Sequence, residues 1–243
     1  MKKQFLLRSA IVGLVVLFGC RKNTIEEQFI AANEPIAKKY LSHFQVFSDN
    51  NTFDNVTYVI NYDSDNRVSS ITDGSESGFT QYDESNELST VSDKNGTFDM
   101  SELYKAPYNA FEEGEVTKYD SKLNPIKILV YEDGYGSDIL VGSIGYDPNP
   151  NPFFYTFKAA GLLAVLERVN LYFEPTNQNI TKARQLLPYN NISSMIFKDV
   201  NGATKYEAQV SYNYDADLYP TSANMMVITP TETTSITLVY SYR

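Results

Sequence analysis

The sequence has no tryptophan, one cysteine and one histidine. A lone cysteine, Cys20, excludes a disulfide framework and a thiolate metal site. One imidazole cannot assemble a histidine-rich zinc centre, and it leaves a serine nucleophile a single histidine as base, His43. His43 falls inside a strand expected over Tyr40 to Phe47, where a packed or solvated side chain is the simpler reading. Phosphate-cradling loops are missing as well, because Gly134-Tyr135-Gly136 lacks the third glycine and the following helix of a dinucleotide motif. Basic residues are in short supply: 20 Lys and Arg stand against 30 Asp and Glu, a net charge of -10. A surface of that sign repels phosphate backbones, which argues against nucleic acid as a partner.

What is present belongs to a globular chain of 243 residues, with 42% hydrophobic and 21% charged residues, a balance that excludes wholesale disorder. Tyrosine is abundant at 19 residues, which suits half-buried strands whose rings pack inward while the hydroxyl reaches a polar partner.

Lys2, Lys3 and Arg8 precede the apolar run Ala10 to Phe18, in the order of the charged and hydrophobic regions of an export signal. The run is too short to span a bilayer. It closes on Leu17-Phe18-Gly19-Cys20, which resembles the bacterial lipobox, where a small residue precedes a cysteine whose sulfur receives a diacylglycerol. The resemblance implies a signal peptide over 1–19, lipidation at Cys20 and a membrane attachment through that lipid. Loss of the leader removes three basic residues and no acid, so the mature chain is more acidic still. Arg21 stands where an aspartate resembles an inner-membrane retention signal, which by resemblance favours the outer membrane. Residues 20–38 read as a lipidated tether, followed by one β-rich domain over 39–243.

That domain is organised by a repeat. Tyr-Asp occurs at 62–63, 82–83, 119–120, 146–147 and 214–215. In four copies, the sixth residue after the tyrosine is Val68, Leu88, Pro125 or Pro220, and the ninth is Ile71, Val91, Ile128 or Ala223. A strand ending on Tyr-Asp, a polar turn and a second strand starting near the sixth residue make a β-hairpin, since Asp and Asn bond their own backbone and tolerate left-handed conformations. Period-two alternation over Val56 to Tyr62 and Tyr206 to Tyr214 agrees. The units resemble the Tyr-Asp repeats of Rhs-type and teneurin-type proteins, with Asp65-Asn66-Arg67-Val68 nearest to that pattern. The whole layout is similar to a family of Gram-negative export lipoproteins of uncharacterised activity, with degenerate Tyr-Asp hairpins and one Asn-Pro-Phe segment before a helix.

Asn151 as cap and Pro152 as first helical residue predict one helix over about 152–168, largely apolar and packed on the sheet. Asp199-Val200-Asn201-Gly202 reads as a further hairpin turn. The fold class is therefore mainly β, a curved antiparallel meander of hairpin repeats with one packed α-helix. Two acidic groups are candidates for calcium: Asp63, Asp65 and Asn66 in the first turn, and Asp147, Asn149 and Asn151 at alternate positions, although turns collect Asp and Asn for backbone reasons alone. No other cofactor is implied. Tyr135, Tyr155 and Tyr189, near predicted loops, are the candidates to be free for a ligand. The chain reads as a non-catalytic binding or adaptor lipoprotein with a glycan or envelope-protein ligand. Its rivals are a structural lipoprotein without a small ligand and an envelope hydrolase, which needs two convergent carboxylates.

Overall fold

A computed structural model describes residues 24–49, 55–105, 108–109, 115–131, 139–172 and 180–243. The signal segment, Cys20 and Tyr135 lie outside the described residues. Strands β1 (Leu41–Ser48), β2 (Val56–Tyr62), β3 (Val68–Thr72), β4 (Ser77–Tyr82), β5 (Leu88–Asp93) and β6 (Gly96–Asp99) form one meander. After the two-residue β7 (Tyr108–Asn109), β8 (Glu115–Tyr119), β9 (Pro125–Tyr131) and β10 (Ile139–Pro150) form a second. The short β11 (Asn170–Tyr172) and β12 (Ile180–Lys182) precede a third, made of β13 (Asn190–Asp199), β14 (Thr204–Tyr214), β15 (Pro220–Ile228) and β16 (Thr233–Tyr242).

These meanders join into one open antiparallel sheet of 13 strands, in the order β6-β5-β4-β3-β2-β1-β16-β15-β14-β13-β10-β9-β8. The mainly β, antiparallel expectation holds. Two joints tie distant parts of the chain: β1 to the last strand β16, and β10 to β13. A separate small sheet, β12-β11-β7, contains one parallel pair.

Register decides which side chains share a face. Phe44 lies opposite Tyr240, Leu238 opposite Ala223, Ala223 opposite Tyr212, and Val210 opposite Met225, so one face is a continuous apolar surface. The other face carries cross-strand polar pairs, with Asn61 Nδ2 donating to Ser70 Oγ and Asn213 Nδ2 to Ser222 Oγ, both at 3.0 Å.

The helical region differs from expectation in two ways. The single helix predicted over 152–168 is two, α2 (Phe154–Ala159) and α3 (Leu162–Arg168), counting after the N-terminal helix α1 (Ile25–Asn33). Gly161, at φ 74°, breaks it. A Cβ there would stand 2.9 Å from Leu88 Cβ, so the break also brings the helical layer close against β5. Asn151 does cap the segment, its Oδ1 accepting from the Phe153 N–H at 3.0 Å, but the helix starts at Phe154.

The second difference is α1, which occupies much of the stretch read as a tether. Thr24 Oγ1 accepts from the Glu27 N–H at 3.2 Å and Glu27 Oε2 accepts from the Thr24 N–H at 2.8 Å, a capping box whose Thr-x-x-Glu signal was present in the sequence. Ile25 and Phe29, one turn apart, then face the domain. Phe29 is fully buried and stacks on Phe154 with ring centroids 3.6 Å apart.

Two measurements check this arrangement. Phe29→Ala is expected to lower unfolding stability by about 3–5 kcal/mol, as for a large aromatic removed from a core, whereas a loose tether would leave it unchanged in denaturant titration. Gly161→Ala should cost about 1–2 kcal/mol from the left-handed backbone alone, and more from the Leu88 contact, measured in the same titration.

Candidate binding site

The Tyr-Asp turns build one end of the sheet. In each of the four framed copies, the aspartate N–H donates to the carbonyl four residues on, and the N–H three residues on donates back to the aspartate carbonyl. For Asp63 the partners are Arg67 at 2.8 Å and Asn66 at 3.1 Å. The Asp63 carboxylate then accepts from the N–H groups of Asp65 and Arg67, both at 2.9 Å. This geometry forces the residue four after the tyrosine into the left-handed region: Asn66, Asn86, Leu123 and Leu218 have φ between 62° and 68° and are the positive-φ non-glycine residues among those described. The Asp199 turn repeats the pattern with Gly202 at φ 85°. Glycine and asparagine suit that position, whereas each leucine costs about 1–2 kcal/mol there. The fifth copy, Tyr146-Asp147, makes no such turn and continues within β10.

A bulge in the second strand, at the residue after the sixth, leaves each tyrosine directly opposite the sixth residue, pairing Tyr62 with Val68, Tyr82 with Leu88, Tyr119 with Pro125 and Tyr214 with Pro220. Those sixth residues are all buried. Three of their carbonyls also receive a tyrosine hydroxyl from a later strand: Tyr82 donates to Val68, Tyr146 to Pro125 and Tyr242 to Pro220, each at 2.7 Å. Tyr62 closes the joint to β1 in the same way, donating to the Leu41 carbonyl at 2.7 Å. Burial accordingly raises the phenol pKa of Tyr62, Tyr82, Tyr146 and Tyr242 above the ordinary value.

Beside these tyrosines lies a cluster of buried asparagines. Asn124 Oδ1 accepts from the N–H groups of Tyr189 at 2.7 Å and Asn190 at 3.1 Å, while Asn190 Nδ2 donates to Asn33 Oδ1 at 2.8 Å. The cluster locks the β8–β9 turn, the start of β13 and α1 together.

Between this cluster, the Pro152-Phe153 segment and the apolar face of the sheet is a hollow of about 280 Å³. Its walls include Phe44, Phe153, Met195, Val210, Met225 and Leu238. Asn191, 3% exposed, is part of the wall, and its Oδ1 has no hydrogen-bond partner among the described residues. Asn191 Nδ2 is 3.4 Å from the Tyr214 hydroxyl, which in turn donates to Asp147. Burial pushes the Asp147 carboxyl up, against the opposing hydrogen bond from Tyr214, whose own phenol is pushed up to about 12 by burial.

The residues singled out in the sequence are distributed differently. Tyr155 and Tyr189 are not free: at 1% and 3% exposure they belong to the aromatic core with Phe29 and Phe154, because α1 covers them. Among the described residues no three Asp, Glu, His or Cys side chains gather as metal ligands. Asp63 is occupied by backbone N–H groups and the Arg67 guanidinium, with Asp65 on the outer side of the same arginine at 3.3 Å. Asp147 accepts from the Tyr214 hydroxyl and from the Asn149 N–H, and Asn151 Oδ1 accepts from the Phe153 N–H at the turn into the helical segment. His43 is exposed, its Nδ1 3.1 Å from Ser42 Oγ. The hollow itself was missed, since its walls come from five strands together with the Asn151-Pro152-Phe153 segment, and that segment was its only sequence signal.

No protein-family model matches the sequence, and no curated protein sequence does. Among solved structures, the chain is similar to a porin-like protein from Bacteroides uniformis ATCC 8492, at 12% identity and a TM-score of 0.38 over 84% of this chain and 96% of that one. A porin-like protein from Bacteroides vulgatus ATCC 8482 is similar at 10% identity and 0.37, covering 85% and 99%. A putative outer membrane lipoprotein-sorting protein domain from Vibrio parahaemolyticus gives 11% identity and 0.28, covering 90% and 91%. Scores of this size assign neither a fold family nor a ligand.

The turn carboxylates predict an acid limit. Burial pushes Asp215 up, but hydrogen bonds from Lys39 and from the Tyr219 and Asp217 N–H groups outweigh it and hold the group below the usual aspartate value. Asp199 is held low chiefly by the Ala203 N–H. A carboxyl with a lowered folded pKa contributes stability that is complete above its unfolded value of about 3.9 and lost as pH falls through the folded value. Asp147, held high, works the other way, since the folded state takes its proton first. Stability is expected to fall below about pH 4, and Asp215→Asn to flatten that fall while lowering stability at neutral pH, read by urea titration across pH.

Proposed function

We propose that the protein acts by binding, not by catalysis, while held at the cell envelope through a lipid on Cys20, and that its ligand is an apolar group seated between Phe153 and the sheet. The observation that carries this reading is the lining of the hollow: aromatic, methionine and aliphatic side chains make most of its wall, with Asn151, Asn190 and Asn191 as the polar side. The volume lies at the small end of ligand pockets, which span about 300–1,000 Å³, and fits a short aliphatic stretch or one ring. Methionines 195 and 225 give walls that adapt to an irregular apolar shape. A glycan, read from the sequence as one ligand class, finds few polar partners here. The outer membrane remains the proposed location, on the strength of the lipobox and Arg21.

The mature soluble chain, titrated with a fluorescent polyene fatty acid, is expected to give a saturable one-site signal. Val210→Phe, which fills the hollow, should weaken it about tenfold or more, while Phe47→Ala on the opposite face should not. Saturable binding to a glycan panel, with no response to the fatty acid, overturns this reading. Cys20→Ala should move the protein from the membrane to the soluble fraction.

A further inference from the structure

Leucine is out of place at two of the turns. Leu123 and Leu218 sit at φ 68° and 64°, a conformation in which the sister turns carry Asn66, Asn86 and Gly202. Both leucines are about half exposed, at 46% and 52%, so neither is there to fill the core. Both stand at the same end of the sheet, because β8 and β14 run in the same direction and end on Tyr119 and Tyr214.

That end also meets α1, whose cap Thr24 is the described residue nearest to Cys20. Leu123 and Gln28 of α1 line a single surface hollow with Tyr189, and the Tyr189 hydroxyl donates to Gln28 Oε1 at 2.7 Å. On the other side, Lys38 pairs with Glu26 in the first turn of α1, the neighbouring Lys39 pairs with Asp217, and Tyr219 donates to the Ala37 carbonyl. The Leu123 turn thus meets α1 directly, and the Leu218 turn meets the segment that follows α1. Thr24 is four residues from Cys20, and four residues span at most about 14 Å even when fully extended. A lipid on Cys20 therefore holds this end of the domain within reach of the headgroups.

From this placement we infer that the rim carrying Leu123 and Leu218 is a membrane-docking surface, in which the two leucines enter the interfacial region of the bilayer that holds the anchor. The inference rests on the anchor in the proposed function and goes beyond it, because a long tether would leave the domain free to rotate. The contact is apolar rather than electrostatic, since the chain, at -10 with its leader and more acidic without it, gains nothing from an anionic surface.

The absence of tryptophan supplies the test. Leu123→Trp and Leu218→Trp each introduce a single reporter, and Val200→Trp, 70% exposed in the turn at the opposite end of the strands, is the control. The chain from Cys20 onward contains every described residue, and its one thiol couples to a maleimide lipid in phosphatidylcholine–phosphatidylglycerol vesicles. Both rim reporters are expected to shift to the blue and to be quenched by brominated acyl chains about twofold or more beyond the control. The double variant L123N/L218N should keep its thermal stability, since asparagine accepts the left-handed turn, and lose the vesicle-dependent protection of the rim from protease. Equal quenching at all three positions, or none, overturns the inference, as does a rim shift that follows protein concentration without lipid, which places a second copy there. Because the maleimide lipid supplies the anchor, these outcomes stand apart from acylation of Cys20 in the cell, which fractionation of Cys20→Ala reads.

Discussion

The five-residue turn closed by an aspartate is the constraint on which the rest of this structure depends. Its carboxylate takes two backbone N–H groups and its carbonyl a third, which leaves the chain no choice but a left-handed residue followed by a bulge. That bulge fixes the sixth residue opposite the tyrosine, and a one-residue slip would turn every apolar side chain of the strand to solvent. Turn chemistry therefore sets register, and register sets which face is apolar.

From register follows the tyrosine rim. A phenol at the end of a strand packs its ring inward and donates its hydroxyl to the carbonyl at the start of another strand, satisfying an acceptor that burial would otherwise leave costly. Cations then bridge neighbouring turns. Arg67 lies over the Tyr82 ring and donates to Asn86 Oδ1, and Arg243 lies over the Tyr62 ring and donates to Asn66. The helical layer settles on this rim, with Leu41 N–H donating to Thr156 Oγ1 and Gly161 letting α2 and α3 approach β5.

The repeat also accounts for what the Asp63 carboxylate does, while among the described residues no three acidic, histidine or cysteine side chains gather. An aspartate placed to accept from its own turn has spent its oxygens, and the Arg67 guanidinium takes the remainder at Asp63. Tyrosines were harder to sort. Tyr155 and Tyr189 carry the same local signature as an exposed loop tyrosine, and only the capping of α1 by Thr24 and Glu27 brings Phe29 over them.

The sequence by itself determined the hairpins, because aspartate, the left-handed position and the buried sixth residue interact across only a few residues of chain. It also carried the Asn151 cap and the antiparallel, mainly β class. Tertiary structure alone decided the pairing of β1 with β16 and of β10 with β13, the division of the helix at Gly161, the burial of Tyr155 and Tyr189, and the walls of the hollow. Each of these brings together segments far apart in the chain, where the apolar surface available for burial decides, and local backbone preference does not.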